Sequence, residues 1–183
     1  MNQKAEFLLR APNPEASWHG QSSWLPVRQI NGTITAFSRV KSSSDEALYE
    51  CVLEHELALL NRNFRSAVYT DVTVQEVVTQ LMKESRYFEG FNIDFDSLRC
   101  TYPRREMIIQ WKETDLEFIR RLLAEVGIWF RLENHSTTPT ETVVIFGDSA
   151  SRYIISEKKF PFVRRSGMTS HDEYVTELEE RHA

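Results

Sequence analysis

The stretch from Arg105 to Glu133, REMIIQWKETDLEFIRRLLAEVGIWFRLE, constrains the fold most, because it carries its own punctuation. Glu106 to Trp111 is a short run of strand formers around Met107, Ile108 and Ile109. Thr114 then offers an N-cap, and Glu117 three residues later completes a capping box. Asp115 and Glu117 also put negative charge at the positive end of the helix dipole. Leu116, Ile119, Leu122, Leu123 and Val126 follow at helical spacing and define one apolar face. Gly127 stands where a C′ glycine with positive φ belongs, and Ile128 to Leu132 returns to strand formers. The expectation is strand, helix over 114–126, strand. The helix would be about 20 Å long at 1.5 Å per residue.

Further elements can be read on either side. Residues 32–41 (GTITAFSRVK) and 47–56 (ALYECVLEHE) read as strands joined by the polar loop 42–46, an antiparallel hairpin. Thr73 and Glu76 form a second capping box ahead of Val77, Val78, Leu81 and Met82, which predicts a helix over about 73–84. Residues 92–96 read as a short strand, 100–103 as a proline-marked turn, and Thr142 to Phe146 as a strand closed by the turn at Gly147-Asp148-Ser149. Residues 11–27 hold three prolines and many small polar residues and read as irregular. The fold class expected is α+β, mainly β, with two main helices.

Composition narrows the function classes. Hydrophobic content of 41% with 27% charged residues suits a globular domain. The net charge of −5 argues against a nucleic-acid binder, which carries a basic field. No apolar run approaches the roughly 20 residues of a membrane span, and Met1 to Pro12 lacks the apolar core of a secretory signal. Cys51 and Cys100, far apart in sequence, read as buried reduced thiols of a protein made in the cytoplasm, with a structural disulfide as the alternative.

Chemistry-bearing patterns are sparse. Asp94 and Asp96 would share one face of a strand, with Glu89 nearby, as an acid/base or metal pair needs; alternation with Ile93 and Phe95 makes a solvated strand face the plainer reading. His19, His55, His135, His171 and His182 show no ligand spacing, and Leu59 breaks any H-E-x-x-H motif at His55. No nucleophile elbow occurs, and Gly20, Gly32, Gly90 and Gly127 are isolated, so no phosphate cradle forms. Trp18, Trp24, Trp111 and Trp129 read as core or interface anchors; Trp111 and Trp129, on the strands flanking the helix, are expected to pack. The pairs Arg104-Arg105, Arg120-Arg121 and Arg164-Arg165 read as ion-pairing, solvated faces. No catalytic, cofactor or metal residue is assigned.

The run Gln110-Trp111-Lys112-Glu113-Thr114-Asp115-Leu116-Glu117-Phe118, continued by Arg121-Leu122-Leu123-Ala124-Glu125-Val126-Gly127-Ile128, resembles the hub domain of VgrG proteins, the spike proteins of bacterial type VI secretion systems related to phage baseplate hubs. The family signature falls on Gln110, Trp111, Glu113, Thr114, Asp115, Phe118, Arg121, Leu122, Leu123, Glu125, Gly127 and Ile128. The resemblance covers about residues 28–170, is strongest at 105–147, and is poor before Val27. It implies a small phage-tail-type β-barrel with an α+β insert. Residues 1–70 would be the first hub barrel, with its N-terminal part incomplete. Residues 71–165 would be the insert, and 166–183 the start of a second barrel or a mobile tail. The function implied is structural: a collar joining the secretion tube to the puncturing tip, as a homotrimer in the full-length protein. Its partners would be the tube protein, baseplate proteins and possible effector cargo. It would be assembled in the bacterial cytoplasm and exported without a signal peptide. The rival readings are a hydrolytic effector using Asp94 and Asp96, and an effector-binding adaptor.

Overall fold

The computed structural model describes residues 3–13, 23–88, 92–135, 138, 141–153, 159–163 and 174–180. The chain forms two compact units, Met1–Arg152 and Tyr153–Ala183. In the second, Phe162 and Val175 form a parallel bridge, with Val175 N donating to Pro161 O (3.0 Å) and Val163 N to Val175 O (2.9 Å). Trp18, Glu89, His19, His171, His182 and the pair Arg164-Arg165 lie outside the described residues.

The first unit opens with a three-stranded antiparallel sheet in the order β1 (Lys4–Pro12), β2 (Trp24–Ser42), β3 (Ala47–Glu54). The expected hairpin forms, with Thr33 opposite Glu54 and Ser42 opposite Ala47, and Ser43 N donating to Glu46 O at 2.7 Å across the loop. Residues 24–27, expected to be irregular, are the start of β2, paired with β1, a strand with no clear alternation in the sequence. Pro26 is accommodated because the β1–β2 register shifts there: Arg28 faces Leu9 and Pro26 faces Arg10, leaving Val27 as the extra residue of a bulge. Only Asn31 to Thr33 of the long β2 are buried. At that waist a Cβ on Gly32 would stand 2.5 Å from the Glu54 carbonyl oxygen, so only glycine lets the two strands meet.

A 3₁₀-helix (Glu56–Arg62) leads from β3 into β4 (Phe64–Val72), a strand unassigned from the sequence. Then come α1 (Val74–Glu84), β5 (Ile93–Ser97), β6 (Arg105–Thr114), α2 (Asp115–Glu125), β7 (Trp129–Asn134) and β8 (Thr142–Gly147). β4 pairs with β6 antiparallel, and β8 sits between β5, parallel to it, and β7, antiparallel. Both helices carry the expected capping boxes, Thr73 with Glu76 and Thr114 with Glu117. Their apolar faces meet one core: Val77, Val78, Leu81 and Met82 from α1, Phe118, Ile119, Leu122 and Leu123 from α2, Tyr69 and Ile108 from the β4–β6 sheet, and Val144 and Phe146 from β8. Phe146 stacks on Phe95 at 4.4 Å, locking β5 to β8.

The mainly β, α+β class holds, but the strands form three open sheets and no closed barrel among the described residues. Closure needs enough tilted strands to bring the edges together, about eight in small barrels, and three strands cannot do so. No helix among the described residues is long and apolar enough to cross a membrane.

Candidate functional site

Strand alternation sorts the signature segment into two faces. Ile108 and Gln110 point into the core, and Met107, Ile109 and Trp111 point away. The alternation then breaks at a bulge. Arg65 faces Glu113 and Ala67 faces Gln110, so Ser66 stands opposite both Trp111 and Lys112. Lys112 takes φ 47°, and its N–H donates to Ser66 Oγ at 3.0 Å. Beyond the bulge Thr114 caps α2: its Oγ1 accepts from Glu117 N (3.2 Å), and its own N–H donates to the Glu117 carboxylate (2.8 Å).

The inward face carries a buried polar cluster. Asp115 is 1% exposed and Gln110 0%. The Asp115 carboxylate accepts from Gln110 Nε2 (2.9 Å), Arg65 Nε (2.9 Å) and Asn63 Nδ2 (2.5 Å), while Asp115 N donates to Asn63 O (3.1 Å). A buried charge needs this many partners to offset its desolvation. Arg65 also reaches Glu84 at the end of α1 (3.1 Å), and Thr114 Oγ1 donates to Asn61 Oδ1 (2.9 Å). The cluster therefore ties α1, α2, β4 and β6 together. Asp115 does more here than complement the helix dipole.

A second polar set braces the far side of α2. Arg121 donates to both Glu113 oxygens (2.7 and 3.2 Å), to Ile109 O (2.9 Å) and to Glu125 (2.9 Å), and its guanidinium lies over the Phe118 ring at 5.2 Å. Glu125 also accepts from Arg105 (2.7 Å). The Arg121 hydrogen bonds hold the Glu113 carboxyl below its ordinary range, and Arg105, with Arg121, does the same for Glu125. Arg104 likewise ion-pairs with Asp71 and Glu76, so the expectation for these basic pairs holds at Arg104, Arg105 and Arg121. At the C-terminus of α2, Gly127 has φ 71°, Ile128 N donates to Leu123 O and Gly127 N to Ala124 O, a Schellman closure.

The outward face differs from expectation. Trp111 does not pack; it is 68% exposed because its parity on β6 turns it from the core. Phe64 (65%), Val68 (60%), Met107 (56%) and Ile109 (44%) share its face, interleaved with Ser66 and Thr70. These seven outward positions, four on β4 and three on β6, carry no charge. Lys112 Nζ touches this face only at its rim, 5.3 Å from the Trp111 ring. Trp129, in contrast, lies half-buried across Gly147. Trp24 is exposed.

The remaining candidates are dispersed. Asp94 Oδ1 accepts from Asp96 N (2.7 Å), a local contact within β5 that engages one carboxylate oxygen. Asp94, Asp96, Glu133 and His135 border an open hollow of about 400 Å³, yet no group of three or more metal-capable residues comes together among the described residues. Cys51 and Cys100 are free and exposed, not buried: Cys51 lies on the uncovered part of β3 and Cys100 in a surface turn. That turn is held by Asp148, which accepts from Arg99 N, Cys100 N (2.8 Å) and Tyr102 Oη (3.1 Å). Burial and the Asp148 hydrogen bond push the Tyr102 hydroxyl up to about 12. Sequence reasoning missed Asn61, Asn63 and Arg65; their signal was the alternating polar run N-x-N-x-R over residues 61–65.

Comparison with known proteins fits this arrangement. The chain is similar to the type VI secretion system spike protein VgrG3 of Vibrio cholerae serotype O1, 26% identical, over 84% of this chain and 14% of the relative. It is also similar to spike protein VgrG5 of Pseudomonas aeruginosa, 26% identical, over 80% of this chain and 18% of the relative. It thus spans less than a fifth of those relatives. Among solved structures, the E. coli c3393 protein, a type VI secretion component structurally similar to the T4 tail proteins gp27 and gp5, superposes with TM-score 0.65 at 38% identity, over 75% of this chain and 37% of that one. The family profile of the phage tail baseplate hub (GPD) matches residues 5–183. It takes in the segment before Val27, where the resemblance is poor and β1 pairs with β2. The chain belongs to the phage tail baseplate hub (GPD) family and forms a VgrG-type N-terminal hub domain.

Proposed function

We propose that this chain is the hub part of a type VI secretion spike, a structural collar between the tube and the puncturing tip. The observation that carries this reading is the outward face of β4 and β6, where Phe64, Val68, Met107, Ile109 and Trp111 are uncovered. Two of these are aromatics, each worth about 150–250 Å² on burial. The patch thus reaches the few hundred Å² that monomers rarely leave open. Its occupant in this proposal is a second copy of the chain within a homotrimer. A cyclic trimer is head-to-tail and needs two different faces. The three-stranded sheet, with Phe37, Val40, Leu48 and Tyr49 exposed, supplies the other.

Residues 1–70 would be the hub portion, 71–165 the α+β insert, and 166–183 the start of a second barrel or a tail. The barrel would close only when neighbouring strands complete the β1–β3 sheet. The tube protein, baseplate proteins and effector cargo are the further partners proposed. The protein would assemble in the bacterial cytoplasm and leave through the machine without a signal peptide. Its role is mechanical rather than catalytic. The engagement of Asp94 with the Asp96 amide fits that role better than a hydrolytic one.

Deleting the gene should abolish release of tube protein into the medium. Wild-type protein and Asp94→Ala should both restore it. Unchanged release after deletion would refute the reading, and failure of Asp94→Ala with intact folding would favour the hydrolytic rival.

A further inference from the structure

The mechanical reading leaves unused the largely buried, titratable side chain of His55. His55 stands between β3 and the 3₁₀-helix with φ −66° and ψ 152°, and it caps that helix. Its Nδ1 accepts the Leu57 N–H at 3.1 Å, and its carbonyl accepts from Ala58 N at 2.9 Å. Because Nδ1 is an acceptor, the ring proton of the neutral form sits on Nε2. That nitrogen is buried, without a hydrogen-bond partner, 3.6 Å from Glu56 Oε2. The His55 side chain is 11% exposed.

We infer that His55 is a proton-sensitive clasp, which when neutral fastens the three-stranded sheet to the helical core and when protonated releases that joint. A doubly protonated ring has hydrogens on both nitrogens. Nδ1–H would then face the Leu57 N–H, donor against donor, and the cap would fail. The 3₁₀-helix depends on that cap. It packs against β2 on one side and against β6 and α2 on the other, and it brings Leu57 and Leu60 into the core.

The charges around the ring oppose one another. Glu56 on the 3₁₀-helix favours the protonated form, although its Oε2 already accepts from Thr142 Oγ1 at 3.2 Å. Glu54 of β3, Glu133 of β7 and Arg28 of β2 line the same hollow of about 310 Å³, and Phe88 adds an uncharged ring at 6.2 Å. Burial outweighs Glu56 and holds His55 below its ordinary value of 6.5. The sign follows. The unfolded chain binds the proton more tightly than the folded one. The joint is therefore at full strength above pH 6.5, weakens as pH falls through 6.5 towards the lower folded value, and levels off below that.

The test is an NMR titration of the whole chain from pH 7.5 to 4.5, following the His55 ring and the Leu57 amide, beside His55→Asn. Asparagine still accepts at an N-cap but does not titrate there. In the wild type the His55 ring should titrate below 6.5, and Leu57 protection, corrected for intrinsic exchange, should fall with it. The limit for one proton is about tenfold per pH unit. In His55→Asn the protection should stay flat. A ring titrating at or above 6.5 with Leu57 unchanged would overturn the proposal, as would an equal acid loss in the variant. Should His55→Asn not fold, the wild-type titration decides alone.

Discussion

Arg65 stands opposite Glu113 in the β4–β6 ladder but gives its Nε–H to Asp115, 2.9 Å away, just beyond the bulge at Trp111 and Lys112. This explains why a tryptophan-to-aspartate run can be a signature without any chemistry. The bulge lets one short segment present Trp111 outward and, four residues later, bury Asp115 as the first residue of α2.

Removing Arg65 should therefore cost more than a surface ion pair. Arg65→Met leaves the Asp115 carboxylate buried with only neutral donors, Gln110 and Asn63. A loss of about 3 kcal/mol is expected, the lower end for breaking a buried pair, because Arg65 itself is partly exposed. Urea unfolding measures it, and a loss below about 1 kcal/mol would mean the cluster is not essential.

The two ends of α2 should respond differently to substitution. Thr114→Ala removes a cap and should cost about 1 kcal/mol. Gly127→Val forces φ 71° on a β-branched residue and should cost more, about 1–3 kcal/mol. A Cβ at Gly127 would meet nothing within 4 Å, so the penalty is conformational, and Gly127→Asn should recover most of it.

Acid should act on α2 through its rim. Glu113 and Glu125 are held below their ordinary 4.5 by Arg121 and Arg105. They contribute stability above that pH, lost as pH falls through their lower folded values. Chemical unfolding between pH 5 and 3 should show this slope, and Arg121→Gln should flatten it. An unchanged slope in the variant would assign the acid sensitivity elsewhere.

Folding should need no metal. Thermal melts with and without a chelator should coincide, whereas a bound ion would lower the midpoint on removal.

What could be read from the sequence followed from local rules. The capping boxes at Thr73 and Thr114, the Gly127 closure and the 32–56 hairpin depend on residues a few positions apart. Features set by distant pairing could not be read. β1 and the start of β2 exist because each pairs the other, and Pro26 hides in their bulge. Trp111, on a strand flanking the helix, reads as packing; its exposure follows from parity on a strand whose other face is filled by Ile108 and Gln110. Cys51 was misplaced in the same way, since nothing local says that the outer end of β3 has no cover.

Whether the β4–β6 face holds a trimer is decided by sedimentation velocity on the polypeptide at the length of its relatives, beside the same protein carrying Trp111→Glu. The wild type should sediment as a trimer, Trp111→Glu should shift towards monomer with an unchanged circular dichroism spectrum, and residues 1–183 alone should associate weakly or not at all. A strictly monomeric wild type would contradict the spike reading, and a trimer indifferent to Trp111→Glu would contradict the assignment of the β4–β6 face.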